Sequence, residues 1–330
     1  MSRAQLTSTD QQNSGGPVAP FVAGKNKLIN GDFGIWQRGT SFATGINGYV
    51  ADRWVVDTCT GVTKDTGTGA LPYSLKIAST TGYGNPAIRQ GIELPATGNA
   101  GVFQVGTTWT ISYWSKSSSS SSSNMAIYLA FNDGVNAGTN AVTVAISTSL
   151  GAISTSWTKY TYTFTIAASP VGTNTALMLV PYATTGASSS SVWFTGLQLE
   201  AGSVATPFTT ATGTLSGELA ACQRYYWRAG GDNAYQYFAI GTSTSSTQAA
   251  IFVQNPVTMR TAPTSIDYST LGISEASGSV ISVSSVTFDQ AGRYASDIYA
   301  AVSSGLTQYR VERLLANGST SAYLGFSAEL

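Results

Sequence analysis

Apolar and polar side chains alternate along several short stretches of this chain. In residues 159–166 (KYTYTFTI), aromatic and aliphatic side chains occupy every second position, and lysine and threonine stand between them. A period of two is typical of an antiparallel strand with one buried face. Comparable runs lie at 73–79, 109–116, 124–131 and 176–182. Because no helical pattern separates these strands, they predict a β-sandwich, and we expect a jelly roll over residues 25–210.

Residues 214–227 (TLSGELAACQRYYW) carry a helical pattern instead. Leu215, Leu219 and Cys222 recur at helical spacing, and Glu218 would favour the positive end of the helix dipole. Two residues can cap the amino terminus of this helix: Thr214 and Ser216. The sequence therefore predicts a short helical connector within residues 211–228.

Strand-like runs return after the connector, at 234–240, 249–254, 280–288, 308–315 and 321–330. The predicted fold class is thus all-β: a jelly-roll β-sandwich, a short helix, and a smaller C-terminal β-domain over residues 229–330. Residues 1–24 are polar and contain too little apolar surface for a fold of their own. They are either a segment that orders on a partner or a disordered leader.

Composition narrows the function. Charged residues make up only 10% of the 330, and the formal net charge is zero, so nothing indicates binding to nucleic acid or to an anionic membrane. The longest apolar run is far below the ~18 residues of a membrane span, so we expect no membrane insertion. The absence of histidine removes the commonest general base and metal ligand. Cys59 and Cys222 are the only thiols, and we expect both to be buried and free, although their spacing leaves a disulfide open. The amino-terminal sequence lacks the apolar segment of a signal peptide, so we expect release by cell lysis.

Four phrases, taken together, resemble a known module. They are 26–42 (NKLINGDFGIWQRGTSF), 49–54 (YVADRW), 194–208 (FTGLQLEAGSVATPF) and 218–227 (ELAACQRYYW). Their order and spacing are similar to a module of bacteriophage tail-fibre and related receptor-binding proteins, and residues 257–264 (VTMRTAPT) resemble a phrase of the C-terminal domain that usually follows it.

This resemblance implies a carbohydrate-binding-like jelly roll in a structural virion protein that adheres to a host surface polysaccharide. It also implies a homotrimer, with residues 1–24 as the segment that attaches to other virion tail proteins. The expected location is the tail of the virion, and the extracellular medium after host lysis. A capsid-decorating or head-fibre protein without a receptor role would share the same composition.

The best sequence candidate for glycan binding lies at 227–238 (WRAGGDNAYQYF). Aromatic rings stack on the apolar faces of sugars, and amides or carboxylates orient their hydroxyls. The predicted ligand-binding residues are Trp227, Asp232, Asn233, Tyr235 and Tyr237. The alternative interpretation is a hairpin whose tyrosines pack in the trimer interface.

The resemblance also raises the question of a structural calcium ion, which modules of this kind often carry. Asp32 and Glu200 are the candidate ligands, whereas Thr195 stands where such modules often have an acidic residue. Ordinary hydrogen bonding by Asp32 is the alternative. We further expect Asp52 and Arg53 to form a buried pair below Trp54.

An enzyme, such as a polysaccharide depolymerase, would need two carboxylates across a glycosidic bond. The available carboxylates share no motif: Asp65, Glu93, Asp133, Asp289 and Glu312. We therefore predict no catalytic residues and no cofactor other than the calcium ion considered above.

Overall fold

A computed structural model describes residues 23–330, apart from 44, 81–84, 121–122, 135–139, 185–186, 188 and 276–278. The attachment segment predicted for residues 1–24 thus lies outside the described residues, except for its last two.

The first part of the chain is a β-sandwich. Its strands are β1 (Ser41–Phe42), β2 (Ile46–Tyr49), β3 (Val55–Cys59), β4 (Val62–Thr68), β5 (Leu71–Ile77), β6 (Ile88–Glu93), β7 (Thr108–Ser117), β8 (Met125–Asn132), β9 (Val142–Ser147), β10 (Thr158–Thr165), β11 (Ala176–Ala183) and β12 (Val192–Ala201). The first sheet has the order β1-β4-β5-β12-β7-β10, and the second has the order β2-β3-β6-β11-β8-β9. The predicted sandwich is confirmed.

The inner faces of the two sheets enclose one apolar core, as the alternating pattern predicts. On β10, Tyr160 and Phe164 are buried while the threonines between them are exposed. Strand β7 differs, because its outward-facing Thr110 and Ser112 are buried as well. One reason is that the segment after β12 contacts Thr110: the carbonyl oxygen of Gly202 accepts a hydrogen bond of 2.7 Å from Thr110 Oγ1.

The helix α1 spans Leu215–Gln223, with Thr214 as its cap. The predicted apolar face of this helix is wrong in detail. Leu215 is exposed, and the buried residues are Glu218 and Cys222. Glu218 acts as a hydrogen-bond acceptor, since its carboxylate receives the backbone N–H of Asn30 at 2.5 Å. Residues 226–228, predicted to lie in the connector, belong to a strand.

The C-terminal part is a second β-structure. Its strands are β13 (Tyr226–Gly230), β14 (Tyr237–Ser243), β15 (Gln248–Gln254), β16 (Ser265–Ser269), β17 (Leu271–Glu275), β18 (Ile281–Gln290), β19 (Ala295–Val302), β20 (Val311–Ala316) and β21 (Tyr323–Ser327). Six of them close a barrel in the order β14-β15-β19-β18-β17-β20, and β13-β21-β16 form a small sheet beside it. The predicted smaller C-terminal β-domain is confirmed, whereas its closed barrel was not predicted.

Buried cations join the two domains. Arg53 forms an ion pair with Glu329, and its guanidinium lies 3.5 Å from the centroid of the Tyr225 ring. Arg38 lies 3.4 Å over the ring of Tyr226 and also reaches Glu329 at 3.4 Å. Asp52 and Arg53 are both buried, but the predicted mutual pair is wrong, since Asp52 pairs with Arg38 at 3.5 Å. Three of the phrases that carry the family resemblance therefore meet in this joint.

Asn30 and Gly31 lie in a turn within the first of the four phrases, residues 26–42, and the geometry of this turn accounts for both residue types. Asn30 has a left-handed backbone (φ 56°), and its amide group donates to Ile35 O at 2.8 Å and to Asp52 O at 3.0 Å. A side chain at Gly31 would place its Cβ 2.2 Å from Leu197 O, so only glycine allows this approach to β12. Cys59 and Cys222 are both buried and free, as predicted.

Candidate functional site

A groove crosses the outer face of the second sheet. Two rows of side chains lie on this face because residues opposite each other on neighbouring strands project to the same side. Tyr128 on β8 stands opposite Val180 on β11 and opposite Ile146 on β9, and Tyr182 stands opposite Ala126 and Ala87. The groove has a volume of about 390 Å³. Tyrosine rings form its walls, and small side chains leave room between them.

One end of the groove is polar. Arg89 on β6 forms an ion pair of 2.8 Å with Asp57 on β3, and the Arg89 side chain is only 10% exposed while that of Asp57 is 46% exposed. Arg89 Nε and Asn85 Oδ1 are buried atoms without a hydrogen-bond partner among the described residues. A buried polar atom left without a partner costs about 1–3 kcal/mol. A ligand hydroxyl that reached these atoms after a side-chain rotation would recover part of this cost.

These features suit a flat, partly apolar molecule with many hydroxyls. A tyrosine ring can stack on the apolar face of a sugar, and the Asp57–Arg89 end offers an acceptor and donors for its hydroxyl groups. The groove was not singled out from the sequence. The signal was present, however: in 124–131, Tyr128 falls with Ala126 and Ala130 on the face opposite the core residues.

The structure separates the residues predicted at 227–238. Trp227 is only 5% exposed, packs against Phe326 with a centroid distance of 5.0 Å, and donates its indole N–H to Asn255 Oδ1 at 3.1 Å. The expected exposure of Trp227 is therefore wrong, because most of its ring belongs to the core of the C-terminal domain, and glycan binding by Trp227 stays a prediction.

The remaining four predicted residues lie on the surface: Asp232, Asn233 and Tyr235 follow β13, and Tyr237 begins β14. Asp232 and Asn233 are exposed in the turn, and Asn233 Oδ1 accepts the backbone N–H of Tyr235 at 3.0 Å. Tyr235 and Tyr237 are 57% and 58% exposed. The turn links the small sheet to the barrel and is not a hairpin. Glycan binding by these four residues stays a prediction.

The two calcium candidates have protein partners. Glu200 accepts hydrogen bonds from the backbone N–H of Thr206 and the side chain of Gln198, and forms an ion pair of 3.2 Å with Lys25. Asp32 accepts a long hydrogen bond of 3.4 Å from Gly34 N, and burial raises its pKa. Within the described ranges, no cluster of three or more Cys, Asp or Glu side chains could hold a metal ion. Calcium binding stays a prediction.

Residues 41–182 match the family model described as a carbohydrate binding domain. This range contains β1 to β10 and nearly all of β11, and hence both walls of the groove. Over this range the sandwich is similar to a carbohydrate binding domain. Among curated proteins, none matches the chain.

Solved structures similar to the chain include two bacterial binding domains and one phage protein. The CBM22-1 xylan-binding domain from Paenibacillus barcinonensis Xyn10C is 15% identical and aligns over 56% of this chain and 98% of its own (TM-score 0.32). The N-terminal cellulose-binding domain from Cellulomonas fimi β-1,4-glucanase C is 18% identical over 51% and 97% (TM-score 0.31). The enzymatically active domain of bacteriophage CBA120 tailspike protein 4 is 13% identical over 54% and 21% (TM-score 0.33).

None of the helices in the described part of the chain is long and apolar enough to span a membrane.

Proposed function

We propose that the groove between Tyr128 and Tyr182 binds a glycan, and that it is the main ligand site of this protein. The observation that carries the proposal is the coincidence of two half-buried tyrosine walls with a polar end that contains unpartnered buried atoms. The match of residues 41–182 to a carbohydrate binding domain supports it.

The shape of the groove favours a neutral sugar chain. Its charged residues, Asp57 and Arg89, already neutralise each other, so the site has no surplus charge for an anionic group. The apolar members on either side, Val180 and Ile146, offer contact to the hydrocarbon face of a sugar ring. Because a domain of this kind binds its glycan without cleaving it, we propose no hydrolase activity.

At the level of the organism, we propose a virion adhesin of the tail-fibre type, attached through residues 1–24 and directed at a host surface polysaccharide. The proposal is supported by the order of the four phrases between residues 26 and 227 and by the match of residues 41–182 to a carbohydrate binding domain. Localisation of the chain on intact particles by electron microscopy would distinguish a tail protein from a head-fibre or capsid-decorating protein.

Affinity electrophoresis tests the groove directly. The full chain is run through gels that contain neutral polysaccharides, and we expect at least one of them to retard it. The double variant Tyr128→Ala, Tyr182→Ala should migrate as in a gel without polysaccharide. The control is Tyr235→Ala, Tyr237→Ala, which removes two exposed tyrosines from the other domain. If only this control lost its retardation, the glycan site would lie in the C-terminal domain instead.

A further inference from the structure

Lysine and tryptophan alternate across the outer face of the first sheet, on the side of the sandwich away from the groove. Trp193 on β12 stands directly opposite Lys76 on β5 and Lys116 on β7. Trp157 immediately precedes β10, whose first residue is opposite Ser115, so it stands beside Lys116. We call Lys76, Trp193, Lys116 and Trp157 the lysine–tryptophan row.

The ammonium groups of the row lie against aromatic rings. Lys76 Nζ is 5.0 Å from the Trp193 ring centroid, and Lys116 Nζ is 4.9 Å from that centroid and 5.0 Å from the centroid of Trp157. Cation–π contacts at these distances hold an ammonium group in place but satisfy none of its hydrogen-bond donors. The row is therefore a set of positioned cations with donors free for a ligand.

These two lysines differ from others in the sandwich. Lys25 pairs with Glu200, and Lys64 Nζ donates to Gly34 O at 2.9 Å. Within the described residues, neither Lys76 nor Lys116 has a carboxylate within ion-pairing distance or a hydrogen-bond acceptor for its ammonium group.

One acidic side chain, Asp65, contacts the row and is already engaged. Asp65 Oδ2 accepts the indole N–H of Trp193 at 2.9 Å. This hydrogen bond is the largest of the effects that lower the pKa of Asp65, and the charge of Lys76 contributes as well. Asp65 therefore fixes the orientation of the Trp193 ring and remains ionised, while the row as a whole carries a surplus of positive charge.

We propose that the lysine–tryptophan row is a second glycan site and that it takes an acidic polysaccharide. Sugar carboxylates would accept hydrogen bonds from Lys76 and Lys116, and the exposed parts of Trp157 and Trp193 would contact the faces of the rings. The two lysines stand two strands apart, or about 10 Å along the sheet. That separation suits an extended polymer with anionic groups at regular intervals. The site does not depend on the groove, and either can fail alone.

The test is a titration of the full chain with an oligogalacturonate, in which binding is measured as a change in tryptophan fluorescence. The methyl-esterified oligomer, which has the same backbone without the charge, serves as the ligand control. We expect the acidic oligomer to change the fluorescence and to bind more weakly as salt is added. The double variant Lys76→Gln, Lys116→Gln should bind it about tenfold more weakly. The control variant Lys27→Gln, Arg310→Gln, which removes the same charge at two positions outside the row, should change the affinity less than about twofold.

Three results would overturn the proposal. The methyl ester could bind as well as the acid, or the Lys76–Lys116 variant could bind as well as the wild type. Single-stranded DNA of equal charge could bind with the same dependence on the two lysines, which would indicate a general polyanion surface. Among the described residues, no tryptophan lines the groove. Binding of a neutral glycan there is therefore a separate result and does not test the lysine–tryptophan row.

Discussion

The sandwich and the barrel both expose aromatic side chains, but the neighbours of those side chains differ. In the groove of the sandwich, Tyr128 and Tyr182 stand near Asp57, Arg89 and the unpartnered amide oxygen of Asn85. On the barrel, Tyr237 shares one surface with large apolar side chains, namely Ile240, Phe252, Tyr309 and Val311, which are 57–79% exposed. Sugars need hydroxyl partners beside a ring, whereas another protein surface needs contiguous apolar area. Exposure of a tyrosine alone thus cannot distinguish the two roles.

This comparison changes the balance between the two interpretations of Tyr237. Its hydroxyl accepts a hydrogen bond of 3.3 Å from Arg313, and Ile240 stands opposite Phe252 on the neighbouring strand. We therefore expect this apolar surface of the barrel to serve contact between copies of the chain, as a homotrimer would require, and the groove to serve glycan binding.

The joint between the two domains should show the largest effect. Glu329→Ala would leave Arg53 buried without its ion-pair partner, and we expect the free energy of unfolding to fall by about 3–5 kcal/mol. Urea denaturation measures this loss. Asp232→Ala, which removes an exposed carboxylate, should stay within about 0.5 kcal/mol of the wild type. A loss below about 1 kcal/mol for Glu329→Ala would contradict a buried joint.

Next in size is a pH dependence at the same joint. Burial raises the pKa of Asp52 from 3.8 to about 6, and the nearby Arg38 only partly offsets this effect. The folded protein therefore binds more protons than the unfolded chain between these values, and the Asp52 contribution to stability falls as the pH rises from 3.8 to about 6. By neutral pH, the free energy of unfolding has fallen by at most about 3 kcal/mol through Asp52.

Asp52→Asn should remove this part of the pH dependence, since an amide does not titrate and its oxygen can still accept the 2.8 Å hydrogen bond from Gln37 N. The free energy of unfolding, measured at several pH values in the acidic range, tests this prediction. Asp232→Asn is the control for an exposed carboxylate. Identical pH profiles for the wild type and Asp52→Asn would show that Asp52 keeps its ordinary pKa.

A smaller effect is expected at the apolar surface of the barrel. The full chain should have a mass of about three times 34.3 kDa, and Ile240→Ser should weaken assembly by about 2 kcal/mol. Sedimentation over a range of concentrations measures this. Val204→Ser, at an exposed position outside this surface, is the control. A wild type that stays monomeric at high concentration would rule out the homotrimer.

The smallest effect concerns a single wall of the groove. Tyr182→Ala should lower the affinity for the retained polysaccharide by about 1 kcal/mol, whereas Tyr182→Phe keeps the ring and most of the affinity. Isothermal titration calorimetry measures both. Tyr73→Ala, on the first sheet, is the matched control. If Tyr182→Phe bound as weakly as Tyr182→Ala, the hydroxyl rather than the ring would carry the interaction.

The alternation of side chains predicted the sandwich, because apolar and polar residues alternate in half-buried strands such as β10. In the C-terminal part it missed β13, β16, β17 and β19, and in the sandwich it gave no run for β1 to β4, β6 or β9. Strand β17, for example, is buried along nearly all its length and does not alternate. Barrel closure, which depends on pairings such as β14 with β20, leaves no local pattern. The same limit applied to Trp227, whose neighbour Phe326 lies far along the sequence.

The candidate site was harder to predict for a related reason. Its walls come from β8 and β11, and its polar end comes from β3, β6 and Asn85. Each contributes one or two residues that have no distinctive spacing. The quoted phrases drew attention to Asn30, Asp52 and Arg53 instead, and these residues build the joint between the domains.

The most direct test of the glycan site is a crystal structure of the full chain with an oligosaccharide of the polysaccharide that retards it. We predict a sugar ring against Tyr182 or Tyr128, with at least one hydroxyl bonded to Asp57, Arg89 or Asn85. An oligosaccharide bound at Tyr235 and Tyr237, with the groove between Tyr128 and Tyr182 empty, would contradict the account.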